Sequence, residues 1–114
     1  KELVDISQMG MEIGSHSVKH FNLSKLDDYN LNNELINSKE KIENITNKKC
    51  RYIAIPFGSK NDYNNIIINN IKKNNYEKCY LNVHGLGDFN SFTQKRIIMH
   101  EKSNMETLMN SILP

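Results

Sequence analysis

The strongest constraint on this chain is an alternation: short β-prone runs are separated by stretches whose apolar residues recur at helical spacing. Leu31, Leu35, Ser38, Ile42 and Ile45 follow one another at steps of four and three, which places them on one face of a helix. Asp27 or Asp28 is positioned to cap its start and Asn47 to end it in a left-handed conformation, with Lys48-Lys49 beside the negative end of the helix dipole. Tyr52-Ile53-Ala54-Ile55 then reads as a strand stopped by Pro56, which cannot continue a central ladder. A second helix, capped by Asp62 and striped by Ile66, Ile67 and Ile71, leads into a strand over Tyr76 to Val83. Arg96 to Met99 is a further apolar run, and Met105, Leu108, Met109 and Ile112 mark a closing amphipathic helix. Ahead of all these, Leu3, Val4 and Ile6 belong to a helix ended by Gly10, and Met11 to Gly14 forms a minimal buried strand. Strands separated by helices favour a parallel α/β sheet or part of a barrel.

At 114 residues the chain has room for one hydrophobic core. Its 15 basic and 13 acidic residues nearly cancel, so it has no general field for nucleic acid. Lys48-Lys49, Arg51 and Lys72-Lys73 are too short and interrupted to act as a basic tract. No apolar run approaches the ~20 residues of a membrane-spanning helix. Cys50 and Cys79 lack the short spacing of a metal knuckle or redox pair and read as buried free thiols. The 18 asparagines, many paired, sit inside segments that keep an apolar rhythm, so they mark solvated faces of folded elements. The sequence carries no signal for an oligomeric state.

Ile13-Gly14-Ser15-His16-Ser17-Val18-Lys19-His20 places two imidazoles four apart just beyond a strand end, where loops carry chemistry. Neutral imidazole is a zinc ligand, and residues four apart can meet one ion if the loop takes a helical turn. The zincin pattern, however, needs a glutamate after its first histidine, and Ser17 stands there. On spacing alone, a pair of surface or hydrogen-bonding histidines is the preferred reading, with metal binding the other.

The neighbourhood of the pair shifts that balance. Glu12 to His20, followed by Asn22-Leu23-Ser24-Lys25-Leu26, resembles the metal-binding segment of the polysaccharide deacetylases, the NodB-homology domain of carbohydrate esterase family 4. Ile55-Pro56-Phe57-Gly58-Ser59 is similar to that family's second motif, and the helix between them, with Glu34 and the run Ser38 to Glu43, is similar as well. The resemblance spans about residues 1 to 100. It implies a distorted (β/α) barrel, a divalent metal, expected to be zinc, and His16 and His20 as two of its ligands. The third ligand and the general base belong, in the family, to an Asp-Asp-Gly motif on an earlier strand. Asp27-Asp28 is followed by Tyr29 and lies after the histidines, so it is no match. Residues 1–114 are therefore expected to form a single partial domain whose opening strands are missing, inactive by itself.

The implied activity is hydrolysis of N-acetyl or O-acetyl groups on a sugar polymer, so the expected partner is an acetylated carbohydrate. The resemblance places an oxyanion contact at the backbone N–H of Phe57, in the motif whose Pro56 is a further substrate contact; with no tryptophan in the chain, a sugar-stacking platform must come from Tyr or Phe, such as Tyr63 or Phe89. Ile97-Ile98-Met99-His100-Glu101 is the nearest match to the segment that bears the general acid, with Glu101 where the family has aspartate. Two readings of it stand: His100 as the acid, or a closing structural strand with His100 exposed at its end. Ala54 occupies the place of an arginine found in some members, Arg51 is expected to cap the strand at the surface, and His84, at a strand end, either reaches the cleft or, the preferred reading, is a loop histidine without a role. Many family members are secreted or belong to the cell envelope. The competing functional class is a degenerate, non-catalytic carbohydrate-binding or structural module with the same fold.

Overall fold

The computed structural model describes residues 1–99 and 102–112. In chain order the elements are α1 (Glu2–Gln8), a 3-10 turn (Leu23–Lys25), α2 (Asp28–Thr46), β1 (Tyr52–Ala54), α3 (Asn65–Lys73), β2 (Lys78–His84), β3 (Thr93–Arg96) and α4 (Met105–Ile112). The strands form one parallel sheet in the order β1-β2-β3, the expected α/β arrangement. Ile53, Cys79 and Leu81 turn from the sheet into a core shared with Leu31 and Leu35 of α2 and Ile67 and Ile71 of α3.

The long helix follows its sequence signals. Asp27 accepts the Asn30 N–H at 2.8 Å, and Asn47 ends the helix at φ 55° while its own N–H returns to the Glu43 carbonyl. Both ends thus satisfy backbone groups that would otherwise be orphaned. The Lys48 backbone N–H donates to Thr46 Oγ1 at the end of this helix, while its Nζ turns to α1 and donates to the Ser7 carbonyl at 2.6 Å in the last turn. Helix α3 starts later than its sequence suggests. Asn64, not Asp62, is its cap, accepting the Ile67 N–H at 3.0 Å. The asparagines are not all solvated, since Asn74 Nδ2 donates to Asn32 Oδ1 at 3.2 Å and ties α3 to α2.

Three strand expectations change. Met11 to Gly14 makes no strand: the next residue, Ser15, bridges to Ile53, and Met11 is 61% exposed. Tyr76 precedes β2, buried with its hydroxyl donating to the Leu35 carbonyl at 2.7 Å. The last strand lies at Thr93–Arg96, ahead of the apolar run Ile97 to Met99, because Thr93 and Gln94 pair with Cys79 and Tyr80. Pairing register rather than hydrophobicity decides its place.

Parallel strands usually need a long crossover, and α3 supplies one between β1 and β2. Between β2 and β3, residues 85–92 make the return without a helix. Lys78 Nζ fastens this link by donating to the Phe89 and Ser91 carbonyls at 2.7 and 2.5 Å. Buried Gln94 donates to Ser91 O at 2.7 Å and to Asp88 O. Among the described residues no helix is long and apolar enough to cross a membrane.

Cys50 and Cys79 are buried free thiols, as their spacing suggests. Burial pushes Cys79 up to about 12 from an ordinary 9.0 and raises Cys50 in the same direction. A raised acid keeps its proton in the folded state while the unfolded chain ionises, so its contribution is full below 9.0 and is lost as pH climbs toward about 12. We expect the thermal midpoint to fall over that interval. In Cys79→Ala the fall should be shallower, which a series of melts at rising pH would measure.

Candidate metal centre

Ser15 fixes the point where the histidine loop leaves the sheet. Its N–H donates to the Tyr52 carbonyl at 2.8 Å, and its carbonyl accepts the Ala54 N–H at 2.9 Å, which adds one rung to the edge of β1. Gly14 permits this approach, since a Cβ there would lie 3.0 Å from the Tyr52 carbonyl oxygen. The next residue, His16, sets its Nδ1 2.7 Å from the Ala54 carbonyl. A carbonyl only accepts, so Nδ1 carries the proton and Nε2 keeps its lone pair.

The expected helical turn between the histidines is absent. Ser17 and His20 instead adopt left-handed backbone angles, φ 64° and 58°. Short bonds hold them there: the Ser17 N–H donates to Ser15 Oγ at 3.2 Å and the His20 N–H to Ser17 Oγ at 3.1 Å. Between them, the Val18 and Lys19 N–H groups both donate to Glu34 Oε2 on α2, at 2.6 and 3.1 Å. Ser15 Oγ donates to Ser38 Oγ at 2.7 Å, and Ser38 donates on to the Glu34 carbonyl. The outcome is two exposed imidazoles with ring centroids 4.7 Å apart at 64°.

The second motif closes over the same place. Pro56 to Gly58 make a three-residue turn in which the Gly58 N–H donates to the Pro56 carbonyl at 2.8 Å and Phe57 sits at φ 66°. A non-glycine residue in that region costs ~1–3 kcal/mol. Gly58 is required: a Cβ there would lie 2.8 Å from the Asn82 nitrogen, whose N–H donates to the Gly58 carbonyl at 2.9 Å. The Phe57 ring lies 5.0 Å from that of His20. Among the described residues the Phe57 N–H has no hydrogen-bond partner.

Asp62 joins the two loops. Its Oδ1 accepts from Asn22 Nδ2 at 2.8 Å, and its Oδ2 accepts the Ser59 N–H and hydroxyl at 3.0 and 2.5 Å. These bonds, the Ser59 hydroxyl first, hold its carboxyl below the usual range. The sequence did not flag this tie, although an Asp three residues after a Ser is a recognisable turn signal.

Other expected site residues are more dispersed. Pro56 is fully buried, so it shapes the turn and offers no surface to a substrate. Tyr63 is half-buried in a cavity of about 530 Å³ with His84 and Lys95, whereas His16 lines a different one of about 420 Å³ with Tyr52 and Tyr80. Phe89 is 92% exposed on the link after β2. His84 ends β2, and its Nδ1 accepts the Ile98 N–H at 3.0 Å. Arg51 pairs at the surface with Glu12 and Glu77, at 3.2 and 3.7 Å. Such exposed pairs are screened by water and add little to stability. His100 and Glu101 lie outside the described residues.

Two imidazoles with ring centroids 4.7 Å apart, one of them with its Nε2 lone pair uncommitted, suit a divalent ion. Among the described residues no group of three His, Cys, Asp or Glu side chains is close enough to hold one, so the fit extends to two ligands.

Comparison with known proteins bears on this arrangement. No curated protein matches the chain by sequence. The chain is similar in structure to the Streptococcus pyogenes deacetylase PplD, solved with acetate, at a TM-score of 0.89 and 22% identity over 99% of this chain and 50% of that one. It is similar to a polysaccharide deacetylase of Bacillus cereus at 0.83 and 27%, over 98% of this chain and 35% of that one. A de-N-acetylase of Aggregatibacter actinomycetemcomitans gives 0.81 and 16%, over 96% and 51%. The chain thus spans half or less of the first two and about half of the third. The sheet and its helices are the fold of these enzymes over the part they share, consistent with part of a barrel. The family model for polysaccharide deacetylases matches residues 1–79, a stretch that contains both motif loops and the helix that braces them. On that match, this chain belongs to the polysaccharide deacetylase family.

Proposed function

We propose that the chain is the histidine-bearing part of a metal-dependent carbohydrate deacetylase, with His16 and His20 holding one divalent ion, zinc by its preference for imidazole. The observation that carries this reading is the His16–His20 pair, 4.7 Å apart, with His16 Nδ1 committed to the Ala54 carbonyl. The third ligand and the general base are assigned, on this proposal, to an aspartate pair upstream of Lys1. A divalent ion bound here would lower the pKa of a water to ~7 and polarise an acyl oxygen.

The chain's own residues divide the remaining work. His16 and His20 present ring nitrogens from a loop held by six hydrogen-bonded contacts, those of Ser15, Ser17 and Glu34 among them. Phe57 limits rotation of His20 by edge-on ring contact, and its N–H, without a partner among the described residues, would donate to an acyl oxygen as negative charge develops there. His100 is proposed to give the final proton to the leaving amine or alcohol. The proposed substrate is a carbohydrate carrying N- or O-acetyl groups. Tyr63 faces another cavity and is assigned only to a more distant sugar contact.

Zinc titration of this chain, followed through histidine side-chain nitrogen signals, should give weak saturable binding at His16 and His20. His20→Asn should abolish it while keeping the left-handed backbone. Undiminished binding by a variant with both histidines replaced would place the site elsewhere.

Release of acetate from acetylated chitooligosaccharide should be undetectable with these 114 residues and present in a protein that also carries the upstream aspartate pair. In that longer protein His16→Ala should abolish turnover with loss of metal, and His100→Ala should lower it with metal content unchanged. Turnover by the short chain would contradict the divided site. A longer protein that binds sugar without turnover would favour the non-catalytic module.

A further inference from the structure

Glu34 is a carboxylate only 6% exposed, and among the described residues no lysine, arginine or histidine forms an ion pair with it. Burying an unpaired charge costs several kcal/mol unless hydrogen bonds replace the lost water. Here the replacement comes from one source: the N–H groups of Val18 and Lys19, both on Oε2. Those two residues are the middle of the loop whose ends are His16 and His20. Its flanks, Ser17 and His20, are left-handed, a conformation that side chains with a Cβ disfavour. Without a brace such a loop would relax and separate the imidazoles.

The helix supplies its brackets at helical spacing. Glu34 and Ser38 stand four apart on one face of α2, so the first meets the centre of the loop while the second meets Ser15 at its start. Neighbouring positions on that face, Leu31 and Leu35, are fully apolar and buried. A polar residue at 34 on this otherwise apolar face is explained by the two N–H groups that it holds.

We infer that Glu34 is a positioning residue for the metal site: it sets the distance between His16 and His20 through two backbone hydrogen bonds, not through its charge. This rests on the metal-binding reading above. Because a single oxygen accepts both N–H groups, a glutamine carbonyl can do the same. Aspartate keeps the charge but is one methylene too short to reach from the same backbone.

The test is zinc titration of the whole chain and its Glu34→Gln, Glu34→Asp and Glu34→Ala variants, read at the His16 and His20 nitrogens, with amide exchange at Val18 and Lys19 measured without metal. Expected are affinity losses of ~10–100-fold for Asp and Ala and a change within about threefold for Gln. Amide protection should be kept in Gln and lost in Asp. If Ala fails to fold, the Gln and Asp variants still decide the matter. Equal affinities in Gln and Asp, or a Gln variant as weak as Ala, would overturn the inference while leaving the metal reading intact. A wild-type chain with no zinc response at either histidine would overturn both.

Discussion

A single parallel rung, Ser15 against Ile53, decides where everything else in the site can be. It places the His16 backbone one residue beyond the end of paired structure and sets its ring beside the Ala54 carbonyl, a group on β1 itself. β1 is also hydrogen-bonded to β2, and the Ile55 N–H continues that ladder to the Tyr80 carbonyl before Pro56 ends it. The strand therefore delivers both loops to the same end of the sheet, one through its edge and one through its own continuation. Two segments far apart in sequence meet because one short strand touches both. The C-terminal ends of parallel strands are where α/β folds place their sites.

Beneath the loop, a line of polar groups replaces what would otherwise be apolar packing. Tyr76, Ser38, Ser15 and Glu34 are all buried, and each is bonded. Among the described residues no buried side-chain polar atom lacks a partner. Networks of this kind specify one geometry, because displacing any member strands its neighbour without water. Helix α2 has a double character as a result: Leu31 and Leu35 drive it onto the core, while Glu34 and Ser38 determine its rotation about its own axis. The hydrophobic contacts give attraction without direction, and the hydrogen bonds give direction.

The amino-acid sequence discloses this fold unevenly, for physical reasons. Helix α2 was legible from end to end because periodicity, cap and left-handed terminator agreed. The start of α3 is ambiguous in the sequence because Asp62 and Asn64 are both competent caps, and the local turn with Ser59 together with the distant Asn22 takes up the Asp62 carboxylate. The last strand was placed too late because its inward residue is Gln94, a polar side chain whose bonds to the preceding link are invisible in a hydrophobic pattern. In the site, the histidine pair and the Pro-Phe-Gly turn stood out as local motifs. What could not be read was the contact between them, nor the two N–H bonds to Glu34, since each joins residues remote in sequence.

The left-handed backbone at His20 also limits the evolutionary routes open to this position. Apart from glycine, the residues that tolerate such angles best are asparagine, aspartate and histidine. Of these, histidine and aspartate are good metal ligands, and exchanging one for the other trades a borderline nitrogen for a hard oxygen. If a metal is held here as proposed, the fold leaves one easily reached substitution, histidine to aspartate, that would favour harder cations. Cysteine or glutamate at the same place would have to overcome the backbone before any gain in affinity appeared.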